Sequence, residues 1–193
     1  KRGRPSAYIM IDNCVVFHGH GGVVVGSEMS GGVHDLFVSN CQFLGTDVGL
    51  RFKTARGRGG VVENVYIQDI SMKNIAGEAI LFDMYYQGKD PVATFGNGDE
   101  TPKIESKPVD AGTPQFKNIY VDHVVAKGAE TGLLVRGLPE MPIHHLYLSN
   151  LDIEAKQTYR VIEASDIQLT NANFTQTGDK KPELINVKRW KLN

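Results

Sequence analysis

Nowhere in the 193-residue chain does an apolar run approach the ~20 residues that a helix needs to cross a bilayer, so a helical membrane span is excluded. The opening segment KRGRPSAYIMIDNC lacks the long apolar stretch and small-residue cleavage site of a secretion signal, and so says nothing about secretion. Charge of one sign is missing too. Against 21 Lys and Arg stand 22 Asp and Glu, a formal net charge of -1, which leaves no global basic footprint for nucleic acid or an anionic membrane surface. Any polyanion site has to be local. There are only two cysteines, Cys14 and Cys41, with neither CxxC spacing nor neighbouring histidine clusters; zinc or redox chemistry is not expected, they read as small core residues, and no cofactor is called for. No segment sustains a 3.6-residue apolar stripe, so helix is expected to be nearly absent.

What is present is an ordinary globular composition, 41% hydrophobic and 22% charged, in a chain of single-domain length. It is organised by a repeat. A short apolar, any, apolar strand pattern, usually preceded by Asn, Asp or His, begins at Ile9, Leu36, Val65, Ile119, Leu146 and Ile167, at intervals of 27, 29, 54, 27 and 21 residues. Each unit continues through a small turn and, after one or more glycines, a second strand, as in GGVVVGS, GLRFKT, GEAILFD and GLLVRG. Repeats of 20 to 30 residues made only of strands and turns, without a leucine-rich consensus and too short for propeller blades, predict an all-β fold, a single-stranded parallel β-helix. The 54-residue interval then hides either an extra coil or an insertion; a Gly-, Pro-, Asp- and Lys-rich stretch at about 86–115 reads as a loop excursion from one domain spanning 1–193. Asn13 and Asn40, and Cys14 and Cys41, fall at matching repeat positions and are expected to stack. Trp190, in the tail LINVKRWKLN, is placed in a last partial coil that covers the core. An uncapped solenoid end exposes apolar cross-section and strand edges, and residues 1 to 8 are too few to cap one. Further coils N-terminal to Lys1, or another chain over that end, are therefore expected.

Aligning two neighbouring coils brings the polar residues into relation. Val23 falls opposite Leu50, Val24 opposite Arg51, Gly26 opposite Lys53 and His20 opposite Asp47. Period-2 alternation points Leu50 and Phe52 inward and projects Arg51 and Lys53 together onto the outer face, beside a low floor expected at Gly22, Val24 and Gly26. Two cations at i and i+2 on a rigid sheet suit a carboxylate-bearing sugar, Arg offering a planar fork and Lys a point charge. The competing reading is a solvated basic face, extended by Arg56 and Arg58, or a Lys53–Asp83 pair one coil on. His20, near His18 in HGHGG, sits at a turn, where Asp47 either orients it or caps the turn.

GHGGVVVGSEMSGG at Gly19–Gly32 and GTDVGLRFKT at Gly45–Thr54 resemble two signature regions of the polygalacturonase family, glycoside hydrolase family 28, whose pattern there is GHG, then GS, then RIK. Phe52 stands where Ile is usual. The resemblance implies a right-handed, pectin-lyase-like β-helix and an inverting hydrolase of α-1,4-galacturonosyl bonds, with pectic oligosaccharide or polysaccharide as its partner. It implies His20 as an assisting catalytic group and Arg51 and Lys53 as ligands of the substrate carboxylate. Tyr85 or Tyr86, in FDMYY, falls where the family places a substrate-contacting tyrosine, and Asp47 joins the binding set. It further implies an extracytoplasmic location. In this family the general acid and base are aspartates of NTD and DD motifs that precede GHG; neither motif occurs here. The 193 residues thus carry half a site, and alone are expected to be inactive, Asp47, Glu28 and Asp83 being substitutes outside any catalytic motif. The alternatives are a noncatalytic acidic-polysaccharide-binding module and a purely structural β-helix.

Overall fold

The computed structural model describes residues 3–86 and 105–193. It is an all-strand parallel β-solenoid of about six turns, with no helix among the described residues. Ten strands run in chain order: β1 (Ser6–Asp12), β2 (Val15–Phe17), β3 (Val23–Val25), β4 (Val33–Leu44), β5 (Leu50–Lys53), β6 (Val61–Lys73), β7 (Glu78–Asp83), β8 (Gln115–Arg136), β9 (Ile143–Gln176) and β10 (Glu183–Leu192). Every pairing between them is parallel, and each rung lies on the next: β1 on β4, β4 on β6, β6 on β8, β8 on β9, β9 on β10, and in the second column β3 on β5, β5 on β7, β7 on β8.

The corners explain the sequence pattern. A strand turns where a single residue takes a left-handed backbone conformation, which Asn, Asp and His tolerate best among residues with a Cβ. Tyr8, Asp35, Asn64, Asn118, His145 and Asp166, the residues that precede the six apolar triplets, all have φ between 50° and 57°. A second column of such corners contains Asn13, Asn40, Asp69, His123, Asn150 and Asn171, with φ of 50° to 55°. Side chains at this corner tie rung to rung: Asp12 accepts from Ser39 Oγ at 2.5 Å and Asn40 Nδ2 at 2.9 Å, and Asp122 repeats the arrangement with Ser149 and Asn150 at 2.5 and 2.8 Å. The Ser39 and Asn40 bonds hold the Asp12 carboxyl below its ordinary pKa.

Inward-pointing residues at repeated positions build one apolar core down the solenoid, with Phe43, Phe52, Phe82 and Phe116 fully buried. Phe52 and Phe82 stack at 4.8 Å between centroids, and Phe116 meets Phe82 edge-on. On the outside of another sheet, Phe37, Tyr66, Tyr120 and Tyr147 form a continuous stack at centroid spacings of 5.2, 5.0 and 5.0 Å, the spacing of the rungs themselves.

Val65 pairs directly with Ile119, so β6 and β8 are adjacent rungs and no coil lies between them. Of the stretch expected as a loop excursion at about 86–115, residues 87–104 lie outside the described residues. The tail forms β10 on β9, where Trp190 lies half-buried against the Tyr159 ring at 5.2 Å. The two cysteines share a rung position, but only Cys41 is a core residue. Cys14 is exposed, a correction to its expected burial, because the first described coil has a neighbour on one side alone.

Candidate active site

β3 and β5 pair in the expected register, Val23 on Leu50, Val24 on Arg51 and Val25 on Phe52. Alternation does the rest. Leu50 and Phe52 are fully buried, while Arg51 and Lys53 stand half-buried on the outer face. Beneath them Val24 is 42% exposed, and a Cβ added at Gly26 would meet nothing within 4 Å, so the floor is low and open. Gly22 does not belong to that floor: a Cβ there would lie 2.3 Å from the Phe43 ring, so its missing side chain makes room for the core. Gly21, whose added Cβ would come 3.8 Å from Arg51 Cβ, takes its place on the outside.

The loop between β2 and β3 carries His20, and the loop before β5 carries Asp47 one rung on. The backbone fixes their relation, since Asp47 N donates to Gly19 O at 2.9 Å. His20 Nδ1 and Asp47 Oδ2 are 2.6 Å apart, with the side chains 94% and 58% exposed. With an ionised carboxylate as acceptor, Nδ1 carries the proton, which leaves Nε2 as the free ring nitrogen. Arg51 Nη1 donates to His20 O at 3.2 Å, so one cation braces the turn that holds the imidazole.

The two tyrosines separate cleanly. Tyr85 is 4% exposed and belongs to the core, its N–H donating to Asp83 Oδ1 at 3.0 Å. Tyr86 is half-buried over the cations, its ring centroid 4.1 Å from Lys53 Nζ and 5.4 Å from Arg51 Cζ. Its N–H donates to Thr54 O at 2.9 Å, immediately after Lys53 in the chain. Of the expected pair, only Tyr86 reaches the exterior beside Arg51 and Lys53.

The remaining expected residues are engaged elsewhere. Asp83 sits on the rung after Lys53, as aligned, but its carboxylate is buried and accepts from Arg136 Nη2 at 2.6 Å. Arg56 is not part of a solvated basic face: it makes a two-bond pair with Glu140, at 2.6 and 2.7 Å. Arg58 lies 3.9 Å from Glu28, which is exposed. Thus one of the three substitute carboxylates, Asp47, stands beside His20.

Sequence reading missed Arg136, Glu140 and Glu78. Arg136 was within reach, because it continues the outward column Lys53, Asp83, Arg136 over three rungs. Glu78, at the start of β7, is a carboxyl whose pKa burial raises, against the opposing charges of Arg136 and Arg51. Nothing local marks it, since its burial arises from rungs on either side. Among the described residues no group of three or more His, Cys, Asp or Glu is placed to hold a metal ion.

The chain is similar to an exo-poly-alpha-D-galacturonosidase of Dickeya chrysanthemi, 28% identical over 178 residues that make up 91% of this chain and 28% of that protein. Among solved structures it superimposes on a hyperthermoactive exopolygalacturonase from Thermotoga maritima with a TM-score of 0.64 and 27% identity, covering 78% of this chain and 30% of the other. A family 28 exopolygalacturonase of Yersinia enterocolitica, at 19% identity, shares the fold with a TM-score of 0.69 over 92% of this chain and 30% of its own. The chain thus spans under a third of the length of these relatives. The model of the glycosyl hydrolases family 28 matches residues 4–131, which hold the His20 turn and both cations, and the chain belongs to that family.

Proposed function

We propose that this chain is the uronate-gripping part of a polygalacturonase-type glycosidase that hydrolyses α-1,4-galacturonosyl bonds in pectin with inversion. One observation supports the reading: Arg51 Nη1 reaches the backbone carbonyl of His20 from the next rung, and Tyr86 of the rung after that lies over Arg51 and Lys53. Arg51 and Lys53 bind the sugar carboxylate, at about 1.5–3 kcal/mol for each charged hydrogen bond. Tyr86 flanks them, and the open floor at Gly21, Val24 and Gly26 admits the ring. Asp47 turns His20 so that Nε2 faces outward and assists proton movement at the scissile oxygen. Inverting hydrolysis also needs a carboxylic acid to protonate the leaving oxygen and a carboxylate to activate water across the sugar, some 6.5–9.5 Å from it. The NTD and DD aspartates that serve these roles in the family have no counterpart among the 193 residues. They are supplied by coils stacked on β1, and the acting protein works outside the cytoplasm, where pectin is met.

Digalacturonate titrated into the 193-residue chain, followed by NMR, tests the grip: shifts should cluster at His20, Arg51 and Lys53, and Arg51→Ala with Lys53→Ala should abolish them. A reducing-sugar assay on polygalacturonate tests the division of labour. The chain alone should show no turnover, and the same chain preceded by the coils bearing the two aspartate motifs should show it. A noncatalytic acidic-polysaccharide binder is favoured by one observation, the lack of a carboxylate pair flanking the cations among the described residues. It requires the extended protein to bind without cutting.

A further inference from the structure

Cys14 and Cys41 occupy the same position on two consecutive rungs. Asp12 pairs with Ser39 on one side of them and Val15 with Gln42 on the other, and Gln42 N donates to Cys14 O at 2.9 Å. The two side chains also share one local geometry, because each thiol donates to the carbonyl two residues before it, Cys14 to Asp12 O at 3.4 Å and Cys41 to Ser39 O at 3.0 Å. Identical orientation on stacked rungs sets the two thiols one above the other, and both line the same cavity at the β1 end of the core. Directly stacked rungs lie about 4.8 Å apart, inside the Cα separation of about 4.4–6.8 Å that a disulfide spans. Both thiols are free in this structure.

We propose that Cys14 and Cys41 form a rung-to-rung disulfide when the protein meets a low-molecular-weight disulfide oxidant, a modification that staples the first two coils. The Cys14 thiolate, exposed, attacks one sulfur of the oxidant, forming a mixed disulfide and expelling a first thiolate. The Cys41 thiolate then attacks Cys14 Sγ and expels the second. The two protons given up by the protein thiols pass to the two leaving thiolates, so the oxidant is reduced to two thiols as the pair is oxidised. Burial pushes the Cys41 thiol up from its ordinary pKa, which lowers the fraction of its attacking thiolate near neutral pH.

The staple has a functional address. His20 lies six residues after Cys14 and Asp47 six residues after Cys41, so the bond would cross the same gap between rungs that the imidazole–carboxylate contact crosses. Closing it ties together the two turns that hold that contact. The inference does not depend on the uronate reading, because it rests on the register of the two rungs and the matching orientation of the two thiols.

The experiment is equilibration of the 193-residue chain with reduced and oxidised glutathione at neutral pH, acid quench, alkylation and intact mass, with cleavage after Glu28, which separates the two cysteines in the chain. The expected product has lost two hydrogens, carries no glutathione, and keeps the fragments on either side of Glu28 joined until reduced. Its equilibrium constant against glutathione should exceed that of the urea-unfolded chain at least roughly tenfold, since the fold holds the thiols together. Both thiols remaining alkylatable, a glutathione adduct on Cys14 alone, a Cys14-linked dimer, or an equal constant in urea would each overturn the proposal. Cys41→Ser, if it folds, should halt at the mixed disulfide on Cys14; a chain that still loses two hydrogens would overturn it as well.

Discussion

Arg56 and Glu140, 84 positions apart in sequence, form a two-bond ion pair whose side chains are only 12% and 4% exposed. The pair also gathers the backbone around it. Arg56 Nη2 donates to Glu105 O at 3.0 Å and Lys107 N donates to Glu140 Oε2 at 3.4 Å, so the chain at residues 105 to 107 is pinned to the turns after β5 and β8. Burial by itself would raise the Glu140 carboxyl; the Arg56 hydrogen bond and the surrounding amides hold it below its ordinary value instead. Removing one partner strands a buried charge, which typically costs about 3–5 kcal/mol. Glu140→Ala is therefore expected to lower the urea-unfolding free energy by about 3 kcal/mol, and Arg56→Ala by a similar amount. A fall below about 0.5 kcal/mol in both would show the pair to be dispensable.

Tyr85 and Tyr86 should part company under substitution. Tyr86→Ala removes a ring from beside two cations on the surface, so stability should barely change while affinity for digalacturonate falls by roughly tenfold, about 1.4 kcal/mol. Tyr85→Ala empties a core position, and a loss of about 3 kcal/mol is expected. Calorimetric titration and urea melts on the two variants read both quantities. The reverse pattern would place the wrong tyrosine at the ligand.

Much of this was legible because a solenoid writes its structure as a period. The triplets at Ile9, Leu36, Val65 and Ile119 stack in the structure at the register their spacing implies, and the Asn, Asp and His before them mark left-handed corners. The alignment of Arg51 with Val24 followed from the same count. What escaped was set by contacts that no period encodes. Gly22 was assigned outward by simple alternation, yet it lies just before β3 begins, where the chain is still turning. Glu140 meets Arg56 across two coils, and Tyr86 rather than Tyr85 faces out because the bridge from Ala55 to Tyr85 fixes the inward side.

Asp47 is expected to govern the tautomer of His20. With the carboxylate 2.6 Å from Nδ1, the neutral ring carries its proton there. In Asp47→Ala the constraint is gone, and the Nε2–H form, the commoner one in free imidazole side chains, should gain population. Nitrogen-15 shifts of the two ring nitrogens at alkaline pH report this directly. An unchanged pattern in the variant would mean that Asp47 only caps its own turn.

His144 gives the protein a pH-dependent element near neutrality. Burial lowers its pKa from 6.5, and the charges of His145 and Lys117 lower it further. The unfolded chain therefore takes up this proton at higher pH than the native one. Stability from this residue is complete above about 6.5 and is lost as pH falls toward the lower folded value. His144→Gln should flatten the profile of unfolding free energy between about pH 7 and 5. If the wild-type profile is already flat there, His144 is not desolvated as described.

A second window lies in acid, set by Asp166 on the rung before Arg189. The Arg189 hydrogen bonds hold the Asp166 carboxyl down, from 3.8 to about 2, against a smaller opposing effect of burial, with Ser165 and the Arg189 charge assisting. Arg189 stays charged throughout, since the same contact raises its own pKa. Above about pH 4 the carboxylate is ionised in both states and its contribution to stability is whole. As pH falls from there, the unfolded chain protonates first, and the contribution drains away until the native carboxyl is protonated near pH 2. The free-energy gap between wild type and Asp166→Asn should accordingly be constant above about pH 4.5 and close as pH approaches 2. Because Arg189 is largely exposed, salt should shrink the gap in its upper range, and about 1 M NaCl is the check. A gap that persists unchanged down to pH 2 would mean that the ion pair does not fasten β10 to β9.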